Sequence, residues 1–397
     1  MRRIGIYGGS FNPPHIGHVR AAEAFLNELS LDLLLVIPSA DPPHKTLAAD
    51  SPSAQVRLEL TLLAMSGLPN TRVLDLELRR PGPSYTSDTL RELSAQYPGD
   101  RLYLLTGTDM FLSLPEWHEP EVICALAVPV VAARQHSDDN EQLSAAADRL
   151  RSLYGCESVL LRNPVTELSS TTLRRMLALS AGRDLLPAGV WERIIQLGAY
   201  RTGERLTGLS MEDLIPTALA RYKSKRIPHA LGCLDTAKQL ADRFGADREI
   251  CARAAILHDV TKALRGSEQL QLCDSYGILI TDEERQDPAL LHSITGAEAA
   301  ARVFGESEAV CSAIRWHTTG RPNMTTEEKI VYLADCIEPT RSYPGVEETR
   351  AAAARDLDEA LLLGMQGTLN DLLSRGIRPS PVTQQAIDAL RGERNTL

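Results

Sequence analysis

"GGSFNPPHIGH", residues 8–18, follows a short apolar run of Ile4, Gly5, Ile6 and Tyr7 and precedes an amphipathic stretch. Paired glycines, paired prolines and two histidines three apart are crowded into that one turn. A strand, a glycine turn and a helix, in that order, make the ligand loop of an open α/β sheet, outside the carboxyl end of a strand. Gly8 and Gly9 let the backbone approach a phosphate closely, and the helix N-terminus behind them favours an anion. His15 and His18 stand where that helix begins, and their rings can donate hydrogen bonds to phosphate oxygens as charge builds in a transition state. HxGH by itself reads as well as a Gly/Pro turn with two surface histidines. The strand and glycine pair before it tip the reading to phosphate.

Outward from this loop, strand-like and helix-like runs alternate. Strands are predicted at Arg3–Tyr7, Leu33–Pro38, Arg72–Leu78, Leu102–Thr106, Ala127–Ala132 and Ser158–Leu161, with helices over His18–Leu29, Gln55–Met65 and Ser87–Gln96. That alternation is the mark of βαβ units and a parallel, doubly wound sheet. Two further helices are expected from Ser170 and from Ala188, the second ending near Gly198. Beyond "YRTGERLTGLS" (200–210) the strand signal ends and helices dominate. Ile227, Ala230, Leu234, Ala237, Ala241 and Phe244 form one 3.6-period face, stopped by Gly245, and Thr325-x-x-Glu328 opens another helix as a capping box. The last dozen residues read as a weak helix or a frayed tail. The expected architecture is an α/β doubly wound, Rossmann-like domain over 1–202 and an all-α domain over 210–397.

Composition narrows the function classes. With 397 residues, 43% apolar and 24% charged, the chain is an ordinary multidomain globular protein. No apolar run is long enough for a membrane span, and the strand pattern beginning at Arg3 leaves no room for a signal peptide. Seven scattered cysteines without Cys-x-x-Cys suit a reducing, cytoplasmic setting and speak against a disulfide framework or a thiolate metal site. A net charge of −10 disfavours broad nucleic-acid binding, so phosphate recognition has to be local. The composition is compatible with a homo-oligomer.

Further blocks join the opening loop in a recognisable order: "PSADPPHK" (38–45), "GPSYTSDTL" (82–90), "LLTGTDMFLSLPEWHE" (104–119), "LSSTTLRRML" (168–177) and "LLPAGVWERIIQLGAYR" (185–201). Together they resemble the nicotinate-nucleotide adenylyltransferases, a branch of the HxGH nucleotidyltransferases, over residues 1 to about 202. The resemblance implies adenylyl transfer from ATP to the phosphate of nicotinic acid mononucleotide, with Mg2+ accompanying ATP. The substrate phosphate is itself the nucleophile, so catalysis is mostly positioning and charge stabilisation. It further implies that His15 and His18, with Gly8, Gly9, Ser10 and Phe11, hold the ATP phosphates. Ser169, Ser170, Thr171 and Arg174 would form a second phosphate clamp, and His44, Lys45 and Arg134 would hold the mononucleotide phosphate. Thr86 and Trp117 would line the pyridine ring, and Gly107 and Asp109 would contact the nucleotide. Two departures stand out: Asn12 where many members carry Asp, and "QHSDDNEQ" after Arg134 in place of Arg-Pro-Gly. A phosphopantetheine or cytidylyl transferase is the alternative that shares HxGH.

Four of the nine histidines lie after residue 228, in "KRIPH" (225–229), "AAILHDVTK" (254–262), "PALLHSITGAEAA" (288–300) and "AIRWHTTGRPNM" (313–324), and an aspartate follows in "IVYLADCIEPTR" (330–341). Imidazole and carboxylate suit a hydrolytic metal site for iron, manganese or zinc, and Asp259 beside His258 can bridge two ions. The ordered set resembles the HD-domain phosphohydrolases, and more closely their symmetrical bis(5′-nucleosyl)-tetraphosphatase branch, over about 212–365. That implies a di-metal centre, iron in this branch, on His229, His258, Asp259, His292, His317 and Asp335. It also implies hydrolysis of diadenosine tetraphosphate to two ADP. Lys262 and Arg321 are weaker phosphate candidates. Pro228 is tolerable if His229 lies in the first helical turn. Another nucleotide, such as a guanosine alarmone or a dNTP, and a non-catalytic sensor are the competing readings of this half. The complete ligand set argues against the sensor.

Overall fold

The computed structural model describes residues 1–43, 46–48, 51–132, 137–161, 168–202, 204 and 206–395, without the side chains of 137–140 and 393–395. By internal packing the chain divides into two compact units, Met1–Ala178 with Gly182–Glu204, and Leu179–Ala181 with Arg205–Leu397.

The first unit is the parallel sheet that the alternation predicts. Its strands are β1 (Arg3–Gly9), β2 (Leu33–Pro38), β3 (Thr71–Val73), β4 (Arg101–Gly107), β5 (Ala127–Ala132) and β6 (Val159–Leu161), in the order β3-β2-β1-β4-β5-β6. Every pairing is parallel, so each strand is reached by a crossover. Among these are α1 (Ile16–Glu28), α2 (Ala54–Met65), α3 (Thr86–Gln96), α4 (Thr108–Leu112), α5 (Pro120–Leu126) and α6 (Ser137–Tyr154), followed by α7 (Ser170–Leu177) and α8 (Ala188–Leu197). Both sheet faces are covered, which explains the continuous apolar strands. In β2, Leu34 and Val36 face a core with Phe25 of α1, while Leu35 and Ile37 face another with Leu90 and Leu93 of α3. Gly5 marks the close approach of α1: a Cβ there would stand 2.5 Å from Leu31 Cδ1 and 2.8 Å from Phe25 Cε1.

One expected strand is cut short. Arg72–Leu78 pairs only through Val73, and Leu76–Arg79 coils into a 3-10 turn. The turn buries the Glu77 carboxylate, which accepts a hydrogen bond from Thr89 Oγ1 (2.8 Å). An apolar alternation cannot foresee that long-range polar partner.

β1 has β2 on one side and β4 on the other, so strand order reverses at β1 and the loops after β1 and β4 border one crevice. A buried guanidinium from α2 fixes this edge. Arg57, 1% exposed, donates from Nη1 to Ser10 O and Ser39 O (both 2.7 Å) and from Nη2 to Ala40 O (3.0 Å). It thereby joins the loops that leave β1 and β2.

The second unit is helical throughout its described residues: α9 (Met211–Leu219), α10 (Ile227–Phe244), α11 (Arg248–Leu257), α12 (Gly266–Tyr276), α13 (Asp282–Gln286), α14 (Leu291–Phe304), α15 (Glu308–Trp316), α16 (Thr326–Ile337), α17 (Val346–Ala353), α18 (Leu357–Ser374) and α19 (Pro381–Asn395). The sequence signals hold here. Gly245 ends α10 at φ 68°, the Thr325–Glu328 capping box opens α16, and Pro228 sits in the first turn of α10. Cys233, Ala237 and Ala241 of α10 pack on Cys251 and Ala255 of α11 and Ile330 and Leu333 of α16, small residues that let the three helices approach closely. No described helix is long and apolar enough to cross a membrane, and all seven cysteines are free thiols.

Replacing Arg57 with Met would keep the bulk and leave three carbonyls without their donor. The variant should lose about 3 kcal/mol in the first unit. Calorimetry should show one unfolding transition moving down while the transition of the helical unit stays in place.

Candidate functional site

In the first unit, Gly8 and Gly9 close β1, and Ser10 and Phe11 lead into α1. A Cβ at Gly8 would meet nothing within 4 Å, so the backbone there is open to a ligand. Phe11 is buried at φ 43° and packs edge-on to Tyr7, with ring centroids 5.3 Å apart. His15 is the N-cap of α1, and the His15 and His18 rings lie 3.7 Å apart. His15 N donates to His18 Nδ1 (3.2 Å), which places the neutral His18 proton on Nε2. Burial pushes His15 down to about 3, so it is a neutral ring at pH 7, and its Nδ1 is buried without a hydrogen-bond partner.

The start of α7 is bound to the same turn. Ser169 caps the helix by accepting from Thr172 N (3.0 Å), Ser170 Oγ donates to Pro13 O (3.1 Å), and Arg174 donates from Nη1 to Asn12 O (2.6 Å) and from Nη2 to Thr171 Oγ1 (3.2 Å). The histidine turn and the Ser-Ser-Thr-Arg set are therefore brought together. Asn12 has a role of its own, accepting from Tyr200 Oη at 2.9 Å and donating to Ser51 Oγ at 2.8 Å. Gly107 ends β4, next to β1 in the sheet, and Asp109 lies in the first turn of α4. Thr86 opens α3, while Trp117 donates from Nε1 to Ser113 Oγ (3.2 Å) and is partly packed into two cores. Contacts without any signal in the motifs join these two blocks: Tyr85 stacks on His118 with centroids 4.2 Å apart, and Arg91 grips Glu119 at 2.7 and 2.6 Å. His44, Lys45 and Arg134 lie outside the described residues.

In the second unit all six expected ligands converge. Three imidazoles stand at helix ends and donate from Nδ1–H to the carbonyl three residues earlier: His258 to Ala255 (2.7 Å), His292 to Ala289 (2.6 Å) and His317 to Ile314 (2.7 Å). His229 donates instead to Glu338 Oε1 (3.0 Å). With Nδ1 protonated, the Nε2 of a neutral ring is an unprotonated lone pair. These lone pairs face one another in two pairs, His229 with His258 at 3.4 Å and His292 with His317 at 3.2 Å. Lone pairs so placed repel unless a cation or proton lies among them, and Lys262 Nζ, 2.8 Å from His292 Nε2, supplies one proton donor.

The carboxylates complete the set. Asp259 Oδ2 is 3.4 and 3.8 Å from the first pair, His258 and His229, and its Oδ1 is 3.3 and 3.8 Å from the second, His292 and His317. Asp335 Oδ1 is 3.2 Å from His229 Nε2 and 4.0 Å from His258 Nε2. Metal–ligand bonds of about 2.0–2.2 Å in tetrahedral geometry put neighbouring donor atoms about 3.3–3.5 Å apart, so the residues fit two divalent cations bridged by Asp259. Its Oδ1 is buried without a hydrogen bond, a cost that a metal bond would remove. Burial holds His292 well below the usual range and His317 down to about 4, so both stay neutral donors. Burial opposes the charge on Asp259, but contact with His258 and the Lys262 ammonium outweigh it and hold the carboxyl well below its usual range.

Several functional groups escaped the sequence reading. Glu338 is fully buried and orients His229, and it is held by Thr340 N (2.7 Å) and Thr340 Oγ1 (2.5 Å). It reaches the ring because residue 232 is glycine: a Cβ there would stand 2.6 Å from Glu338 Oε2. Arg226 pairs with Asp259, and Arg341 with Asp335. Cys233 Sγ lies 3.6 Å from His229 Nε2, one turn further along α10, and burial pushes its thiol up, so it stands beside the cluster as a thiol and not as a thiolate. The i,i+4 spacing of His229 and Cys233 was the available signal. Arg321 turns away from the cluster, bonded to Glu328 at 3.1 and 2.9 Å.

Known proteins match the two units separately. The HD domain family model matches residues 226–340, and the Cytidylyltransferase-like model matches residues 6–176. A "Probable nicotinate-nucleotide adenylyltransferase" of Synechococcus sp. (strain JA-3-3Ab) is 40% identical over 204 residues, 50% of this chain and 95% of that protein. A protein of the same name from Thermomicrobium roseum is 36% identical, over 52% of this chain and 95% of its own length. A solved structure from Clostridium acetobutylicum, described as a "predicted HD superfamily hydrolase involved in NAD metabolism", is 36% identical. That match covers 47% of this chain and 98% of that one, with a TM-score of 0.45. Through its N-terminal unit the chain belongs to the nicotinate-nucleotide adenylyltransferase family, and behind that unit it carries an HD-type domain.

Proposed function

We propose that the chain is a bifunctional cytoplasmic enzyme. Residues 1–202 transfer an adenylyl group from ATP, with Mg2+, to nicotinic acid mononucleotide, giving deamido-NAD and pyrophosphate. Residues 210–397 hydrolyse diadenosine tetraphosphate to two ADP at a di-metal centre of iron. The names of the relatives support the first activity, and the HD hydrolase of Clostridium acetobutylicum supports a hydrolase tied to NAD metabolism.

In the first reaction the protein positions and stabilises charge. His18, with its proton on Nε2, donates to a phosphate oxygen, and His15 stacks against it and fixes its tautomer through the backbone N–H. Arg174, bonded to Asn12 O and Thr171 Oγ1, brings a guanidinium charge beside the histidine turn for the triphosphate. Magnesium, when bound with ATP, neutralises phosphate charge.

The second reaction rests on one observation: each oxygen of Asp259 addresses a different histidine pair. When bound, two divalent ions there polarise phosphate and supply a nucleophilic water near neutral pH. The chain's own part is orientation. The Nδ1–H bonds aim the imidazoles inward, Asp259 and Asp335 would hold the ions with them, and Glu338 fixes His229.

Two variants test these assignments. His18→Ala should lower kcat for pyrophosphate release by about 10²–10³ with an intact fold, because the lost donor acts on transition-state charge. Turnover within a few-fold of the parent would falsify the role given to the pair. Asp259→Ala should lose at least one metal equivalent and bring tetraphosphate hydrolysis down by orders of magnitude, while adenylyl transfer stays near the parental rate. Metal analysis and the two assays on one preparation decide the matter. Hydrolysis that persists without metal would remove the second assignment.

A further inference from the structure

The helical unit surrounds its buried ligands with three cations. Arg226 lies just before α10, Lys262 just after α11 and Arg341 just after α16, so three separate chain segments each send one charge to the same place. Arg226 pairs with Asp259, Lys262 Nζ lies 3.9 Å from Asp259 Oδ1, and Arg341 pairs with Asp335. Their side chains are 29%, 38% and 37% exposed, against 1% for Asp259. The cations thus form the solvent edge of the cluster and the histidines its floor.

Donors are left over at that edge. Among the described residues the Arg226 side chain makes a single hydrogen bond, through Nη2, and its Nε is buried without a partner. Arg341 uses Nε on Asp335 O (2.7 Å) and Nη2 on Asp335 Oδ1, which leaves the Nη1 donors over. Arg321 uses the same two nitrogens on Glu328, a carboxylate outside the ligand set. Charge gives the same indication. Three cations oppose the carboxylates of Asp259, Asp335 and Glu338, so the pocket is close to neutral by itself. Two divalent ions would make it positive by about four charges, a field that a polyphosphate matches.

We propose that Arg226, Lys262 and Arg341 form a phosphate-binding rim at the HD cluster, their spare donors taking the non-bridging oxygens of a nucleoside polyphosphate. This rests on the di-metal reading above. The guanidinium forks suit phosphate geometry, and each anchors on a ligand carboxylate, so metal set and phosphate clamp are held in one register.

The test uses the full-length protein loaded with cobalt(II), whose visible absorption reports only on anions reaching the metal. Inorganic phosphate is the probe, titrated against the parent and against Arg226→Gln, Arg341→Gln, Arg341→Lys and Arg321→Gln. Either rim glutamine should raise the phosphate midpoint about tenfold with cobalt content unchanged, and the lysine should recover part of the loss. Arg321→Gln should bind like the parent. The parent midpoint should also rise with added salt, which needs no variant at all. A midpoint that ignores both salt and the rim substitutions overturns the rim. So does a loss of cobalt with an unchanged midpoint in the sites still loaded, since the arginines would then only hold the carboxylates. Failure of the parent to bind cobalt is a distinct result: it sinks the di-metal reading and the rim with it.

Discussion

Helix ends make both sites, because an α-helix leaves its first N–H groups and its last carbonyls without partners. The first unit uses N-termini. His15 caps α1 and Ser169 caps α7, so two sets of backbone donors face the crevice where strand order reverses. The second unit uses C-termini as well. His258 and His317 are the C-caps of α11 and α15, and carbonyls of those last turns take their Nδ1 protons. His229 and His292 stand instead in the first turns of α10 and α14, so helix ends place the imidazoles while the side-chain lone pairs, not one end of a helix, set the sign of the site.

The sequence was most legible where function and local structure share a short stretch. The turn at 8–18, the HD dipeptide at 258–259 and the caps at Gly245 and Thr325 could be read because a few neighbouring residues carry the whole signal. The doubly wound sheet followed from alternation for the same reason. What stayed hidden depends on partners far along the chain. Glu338 meets His229 across 109 positions, Arg174 meets Asn12 across 162, and Tyr200 meets Asn12 across 188. No periodicity encodes such pairs. The shortened third strand belongs with them, because the Glu77–Thr89 bond that goes with its 3-10 turn is polar and non-local.

Local stability is given up for this chemistry. Burying four imidazoles, three carboxylates and their cations costs far more than burying hydrocarbon of the same size. The helical unit limits the cost by pairing each charge and by giving every Nδ1 a fixed acceptor. The remaining tension lies in the facing lone pairs and in Asp259 Oδ1. A ligand that resolves it stabilises the fold in proportion to the logarithm of its concentration over its Kd. In the first unit Arg57 is the corresponding device, a lone charge whose two terminal nitrogens bond three backbone oxygens while its Nε stays buried without a partner.

Gly232 carries a consequence for anyone redesigning this protein. Alanine in place of glycine inside a helix ordinarily adds up to about 1 kcal/mol, which makes such positions a first choice for thermostabilisation. Here the missing methyl group is the space that Glu338 occupies. The substitution rewarded by helix propensity would push a buried carboxylate off an imidazole, so the gain in propensity is set against a crowded, unpaired buried charge. A stability screen reads only the balance of those two, and a screen for the bound ion reads the misaimed imidazole.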